Sequence, residues 1–279
     1  MPFFEIRILS RRLQIANPWG KRVEFVQGNV TQPATLARAL AGVESAIHSV
    51  QIPNHPVEDA ARGWTFREVE VKGTSNLIRA SREAGVRRLV YLSAAGAAPD
   101  HRLAWFRAKF EAERAILDSR LDAVILRPSL TYGPGDRSLE VCAALARRLR
   151  AVPVFGRGTT RKQPILVSDV ARVAARALSL ESPSSRVFDL AGPGTYSLKE
   201  IARMTCRLSG RRCLVLHLPV AALKLVAGLL SVLPDPPFSP ESIDLALDEN
   251  LVDPAPAQRF FKMKFTRLEE GLRSLFSSP

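Results

Sequence analysis

The chain has 279 residues, 46% of them hydrophobic and 24% charged, which supplies a large apolar core and excludes collagen, disorder and small disulfide scaffolds. The length fits one large domain or one with an appendage, at about 100 to 200 residues per domain. The formal net charge of +13 raises nucleic acid, an anionic membrane or a phosphorylated ligand as partners, but the cations are scattered in pairs such as Arg11-Arg12, Arg87-Arg88 and Arg147-Arg148, with no run of like charge to mark a nucleic-acid tail.

Short Val/Ile/Leu-rich runs at residues 6–9, 23–26, 45–50, 86–92 and 123–126 predict strands. Runs apolar on both faces suit parallel strands covered by helices on each side. Between them, 34–40, a long stretch over 59–84 stopped by Gly85, and 103–118 predict helices. The alternation predicts a doubly wound α/β sheet.

Residues 1–135 are thus expected to form a Rossmann-like core. Residues 136–279 are expected to add remaining sheet elements and a smaller, mostly helical substrate region over the carboxyl ends of the strands. Ser197 and Glu200 form a capping box for a helix stopped by Gly210. Pro219, Pro234, Pro236, Pro237 and Pro240 bracket two further short helices. The apolar stretch 220–233 contains Lys224 and falls short of the roughly 20 residues of a spanning helix, so it is expected to pack on its own domain.

Cys142, Cys206 and Cys213 are odd in number and lack C-x-x-C spacing, which argues against a zinc site and against a secreted disulfide framework. The first residues carry no secretory signal pattern. A cytoplasmic protein without a metal is expected.

Several ordered motifs resemble one family. They are Glu70-Val-Lys-Gly-Thr-Ser-Asn-Leu-Ile, Val86-Arg-Arg-Leu-Val-Tyr-Leu-Ser93, Trp105-Phe-Arg-Ala-Lys109, Leu126-Arg-Pro-Ser-Leu-Thr-Tyr-Gly-Pro-Gly-Asp136, Gln163-Pro-Ile-Leu-Val-Ser-Asp-Val170 and Asp189-Leu-Ala-Gly-Pro193. Together they resemble the extended and atypical short-chain dehydrogenase/reductases of the NAD-dependent epimerase/dehydratase superfamily. Within it the chain is most similar to bacterial relatives of the NAD(P)H-binding accessory subunit of respiratory complex I, and next to the sterol-dehydrogenase branch.

The resemblance implies a Rossmann-like doubly wound parallel sheet that binds NADP or NAD. The family's first β-α turn carries a G-x-x-G-x-x-G loop that lets the backbone approach the pyrophosphate. This sequence has no such loop, and residues 6–12 resemble the family's second strand and the basic turn after it. The first strand and glycine loop are therefore expected to be missing. Either the flanking strands close up, or the native chain starts upstream; the second is the expectation.

The same resemblance places Arg11 and Arg12 at a 2′-phosphate, favouring NADP. It places Asn29 and Val30 near the adenine, and His48, Ser49 and Leu92 along the cofactor. Arg127, Pro128 and Ser129 fall at the nicotinamide end. Ser93 and Lys109 match the family's substrate-orienting and ribose-holding residues, but Trp105 stands where active members have the catalytic Tyr. An indole N–H donates a hydrogen bond and is no general acid near neutral pH.

As other readings, Tyr91 is assigned to the core, Tyr132 to packing, His101 to the surface and Asp169 to capping the helix that follows it. Glu111 and Glu113, two apart on a helix, do not face each other and are no acid/base pair. The implied partners are a dinucleotide and a small-molecule substrate, with peripheral membrane or protein-complex association open and nucleic acid excluded. The first functional reading is an NAD(P)-binding module with weak or no dehydrogenase activity. The second is an active NADP-dependent oxidoreductase, epimerase or dehydratase.

Overall fold

The computed structural model describes residues 5–12, 20–53, 55–136, 138–181, 186–210, 212–230 and 239–277; the expectations on Pro234, Pro236, Pro237 and residues 231–233 lie outside them. In chain order the elements are β1 (Ile6–Ser10), β2 (Val23–Gln27), α1 (Leu36–Leu40), β3 (Ser45–His48), α2 (Gly73–Glu83), β4 (Arg88–Leu92), α3 (Ala104–Asp118), β5 (Asp122–Pro128) and β6 (Thr131–Tyr132). They continue with α4 (Leu139–Arg148), β7 (Ala151–Phe155), β8 (Arg161–Lys162), β9 (Ile165–Leu166), α5 (Val167–Leu178), β10 (Arg186–Leu190), β11 (Tyr196–Ser197), α6 (Leu198–Leu208), β12 (Leu214–Leu218), α7 (Val220–Leu230), α8 (Pro240–Leu247), α9 (Ala255–Phe261) and α10 (Leu268–Ser277).

The main sheet is parallel, in the order β10-β5-β4-β3. Its central strands are apolar on both faces. Leu89 and Tyr91 of β4 and Ala123 and Ile125 of β5 pack toward Leu77, Ile78, Ala112 and Ile116 of α2 and α3. Val90, Val124 and Leu126 point the other way, among Val170, Val173 and Ala177 of α5 and Phe261 of α9. Each large aliphatic side chain so buried contributes about 1.5–3 kcal/mol, and the strict alternation fixes the register.

β1 and β2 form a separate parallel pair. In the expected strand order the break falls between β1 and β3, where the first strand of the family would stand. Among the described residues the flanking strands do not close up into a ladder. The remaining strands form three small pairs, β7 with β12, β6 with β9 and β8 with β11.

Local chemistry explains most boundaries. α2 ends in a Schellman motif, with Gly85 at φ 72° and the N–H groups of Gly85 and Val86 donating to the carbonyls of Arg82 and Ser81. The Ser197–Glu200 capping box forms at the start of α6. The single helix expected over 59–84 is broken. Asp59 pairs with Trp64 and accepts the Arg62 N–H, Gly63 adopts φ 68°, and a π-helical turn over Arg67–Lys72 leads into α2.

One further expectation is corrected. Cys206 and Cys213 form a disulfide, because the turn from α6 into β12 brings their Cα atoms to 5.3 Å, and Cys142 remains a free thiol. Helix α7 packs on α8 as expected, through a face with Ala227 buried and Val220, Leu223 and Leu230 half-buried, while its opposite face is exposed.

Candidate functional site

Parallel strands direct all their carboxyl ends to one edge, and the residues singled out in the sequence collect there. Arg11 and Arg12 follow β1, Asn29 and Val30 follow β2, His48 ends β3 with Ser49 after it, Leu92 ends β4 before Ser93, and Arg127 and Pro128 close β5 before Ser129. The ladder runs on past the strand ends, with Ser93 N–H donating to Leu126 O, Ala95 N–H to Pro128 O and Ser129 N–H to Leu190 O.

The first turn of α2 joins the β2 and β3 ends. Asn76 Nδ2 donates to Val30 O at 2.9 Å, and His48 Nε2 lies 2.9 Å from Thr74 Oγ1. A Cβ on Gly73 would stand 2.7 Å from Val30 Cγ2, so glycine permits this approach.

At the centre, the Lys109 ammonium lies 2.9 Å from Glu70 Oε2 and donates to Leu92 O at 3.1 Å. Both side chains are buried. The ammonium also lies 5.0 Å from the Tyr91 ring centroid and 5.9 Å from that of Trp105. The Trp105 indole N–H is buried without a hydrogen-bond partner, and its ring packs at 4.4 Å on His55 and 4.8 Å on Phe106.

Burial, with a smaller effect of the nearby Lys109 charge, lowers His48 to about 3 and His55 to about 4. Both imidazoles are therefore neutral at physiological pH. Burial and the carboxylates of Glu70 and Glu113 push the Tyr91 phenol well above its ordinary value.

A second network consumes the remaining polar groups. Ser93 Oγ donates to Glu113 Oε1, and Arg127 binds the same carboxylate through Nε at 2.8 Å and Nη2 at 2.5 Å. That bidentate pair raises the Arg127 pKa. Ser129 Oγ donates to Gln163 O. Glu113 is a buried structural hub and Glu111 is exposed, so they form no acid/base pair.

Sequence reasoning assigned no role to Glu70 as the partner of Lys109. A signal was available, because Glu70 shares a stripe with Thr74 and Leu77, and a charge on a buried helical face demands a counter-charge. Glu113, four residues after Lys109, carries the same signal.

Other candidates resolve into structural roles. Tyr91 and Tyr132 are fully buried, and burial raises the Tyr132 pKa further. His101 is not a surface residue: it sits in the loop before α3 with Nε2 3.1 Å from Asp248 Oδ2. Asp169 does not cap α5. It lies within the first turn, where its buried carboxylate accepts the Thr266 N–H at 2.7 Å and pairs with Arg172.

Asn29 Oδ1 accepts the Thr31 N–H at 3.1 Å in a local turn. Among the described residues no cluster of His, Cys, Asp or Glu could hold a metal ion, and no helix is long and apolar enough to cross a membrane. A cleft of about 570 Å³ lined by Glu44, Arg87, Asp122 and Glu181 lies at the opposite, amino end of the strands.

The dinucleotide implied by the sequence motifs fits this edge unevenly. Arg11 and Arg12 are exposed, with the Arg11 guanidinium 5.4 Å from the Trp64 ring centroid, and suit a phosphate. The nicotinamide side does not fit. Ser93 and Arg127 are engaged by Glu113, and Lys109 by Glu70.

Comparisons with known proteins agree with this architecture. The chain is 27% identical over 194 residues to the mitochondrial NADH dehydrogenase [ubiquinone] 1 alpha subcomplex subunit 9 of Arabidopsis thaliana, covering 67% of this chain and 48% of that protein. It is 30% identical over 213 residues to the (4-alkanoyl-5-oxo-2,5-dihydrofuran-3-yl)methyl phosphate reductase of Streptomyces griseus, covering 74% of this chain and 66% of the reductase. The chain thus spans about half to two thirds of the length of the curated relatives it matches.

The fold is similar to that of MoeE5 solved in complex with UDP-glucose and NAD, at a TM-score of 0.73 and 23% identity, covering 98% of this chain and 89% of that one. The profile of the NAD dependent epimerase/dehydratase family matches residues 4–191. With that match extending over two thirds of its length, the chain belongs to the NAD dependent epimerase/dehydratase family.

Proposed function

We propose that this chain is a nucleotide-binding member of its family that serves as a binding or assembly module, with weak or no dehydrogenase activity. One observation carries the reading. At the position that the resemblance assigns to the proton donor stands Trp105, its indole N–H buried without a partner, and the Lys109 beside it is buried against Glu70. A general acid must present a titratable proton to the substrate, and the indole has none to give. The similarity to a subunit of a respiratory complex supports a role in association.

The preferred dinucleotide is NADP, bound chiefly through its adenosine half, because Arg11 and Arg12 offer two exposed guanidiniums to a 2′-phosphate. Fluorescence titration with NADPH and NADH tests this. NADPH is expected to bind more tightly, Arg11→Ala/Arg12→Ala to abolish the preference, and no carbonyl substrate to be reduced. Steady turnover would overturn the reading in favour of an active NADP-dependent oxidoreductase, epimerase or dehydratase, which the 30% identity to a reductase supports.

A further inference from the structure

We propose that the outer face of α7 and of the β7–β12 pair docks on the surface of an anionic lipid bilayer. Helix α7 turns its polar side toward α8. Its one charged residue, Lys224, reaches Asp244 of α8 at 2.6 Å, and Ala227, three residues on, is buried. The opposite face carries Leu225 and Leu229, 67% and 68% exposed, together with exposed Val226, Ala221 and Ala222. A helix resting in water shows the reverse arrangement, with charge outward and leucine inward.

The neighbouring strands repeat the inversion. In the β7–β12 register Leu214 and Leu216 pair with Ala151 and Pro153, and these four share one face. Val152, Val154 and Val215 on the other face pack against α6, in the core with Ala202 and Cys206. On the first face Leu214 is 69% exposed. Pro219 alone separates β12 from α7, and Gly156, which donates to Leu218 O, lies beside Val220. The start of the helix therefore adjoins the end of the strand pair.

Charge complementarity identifies the occupant. Residues 141–168 and 201–234, which supply β7, β12 and α7, contain eleven Lys and Arg and no Asp or Glu. Arg148 and Arg150 precede β7, Arg212 precedes β12 and Arg157 follows β7; all four are exposed. An apolar patch with exposed Arg148, Arg150, Arg157 and Arg212 around its sheet portion, and with Lys224 neutralised by Asp244, matches the boundary between acyl chains and anionic headgroups, where apolar insertion and electrostatic attraction act together. A helix of this length lies in that interface and does not span it. The surface is independent of the dinucleotide reading.

The test is flotation of the full chain with phosphatidylcholine vesicles, with and without phosphatidylglycerol. Binding is expected to the phosphatidylglycerol vesicles, to weaken with salt, and to fall about tenfold or more in Leu225→Gln/Leu229→Gln. Arg148→Ala/Arg212→Ala is expected to lower binding while leaving the circular dichroism and unfolding midpoint intact. Failure of the natural chain to float with either vesicle would overturn the proposal, as would equal binding to both vesicles or undiminished binding by the leucine variant. So would a concentration-dependent dimer that the leucine variant abolishes in the absence of vesicle binding, which would assign the face to a second copy of the chain.

Discussion

Glu70 Oε2 and Lys109 Nζ lie 2.9 Å apart, with both side chains removed from water. The pair joins the π-helical turn before α2 to the middle of α3 and sets Lys109 beneath Tyr91 and Trp105. The lysine that the resemblance assigns to a ribose is thus the counter-ion of Glu70.

Breaking one half of a buried pair strands the other charge, at a cost of about 3–5 kcal/mol, whereas replacing both with apolar groups of similar size is often neutral. Glu70→Gln is expected to lower the unfolding free energy by about that amount in urea denaturation. Glu70→Leu/Lys109→Met is expected to recover most of the loss. Equal destabilisation by both variants would contradict a pairing role.

Restoring the missing phenol is expected to fail by itself. In Trp105→Tyr the new hydroxyl would stand beside a lysine already paired with Glu70. Absorbance assays with NADPH and carbonyl compounds should show no gain over the natural chain. Turnover at any rate clearly above background would show that Lys109 can leave Glu70.

Stability should depend on pH in the acidic range in a definite direction. His48 and His55 are held near 3 and 4 in the fold, while an unfolded His takes up its proton near 6.5. Between about pH 4 and 6.5 the unfolded chain binds more protons, so the fold gains stability as pH rises and loses it as pH falls. Two such groups give a slope of at most about 2.7 kcal/mol per pH unit. His48→Gln is expected to reduce that slope by about half, measured as unfolding free energy against pH.

Gly192 stands where the chain leaves β10, and a Cβ there would lie 1.9 Å from the Pro164 carbonyl oxygen. A backbone oxygen cannot swing aside as a flexible side chain can. Gly192→Ala is expected to cost about 3 kcal/mol or more through overpacking, seen as a lower thermal midpoint.

Much of the fold was legible because its signals are local. The β4 and β5 runs are apolar on both faces, Gly85 stops α2, and Ser197 with Glu200 caps α6. The break within 59–84 was less legible, since helical periodicity continues through the Asp59–Trp64 turn and only Gly63 marks it. The disulfide escaped because pairing depends on how the chain turns between α6 and β12, which cysteine spacing does not reveal.

The sequence by itself determined the order of strands and helices and the family motifs, with Trp105 where the resemblance expects Tyr, because each is written in residue types at short range. Only the tertiary structure decided what those residues touch. Glu70 and Lys109 are 39 positions apart in the numbering, and Ser93, Glu113 and Arg127 come from three different elements or their ends. Their charges neutralise one another because burial removes water as the alternative partner. The turn of Lys224 toward α8 was likewise settled by Asp244 across the α7–α8 contact, which leaves leucine rather than charge on the outer face of α7.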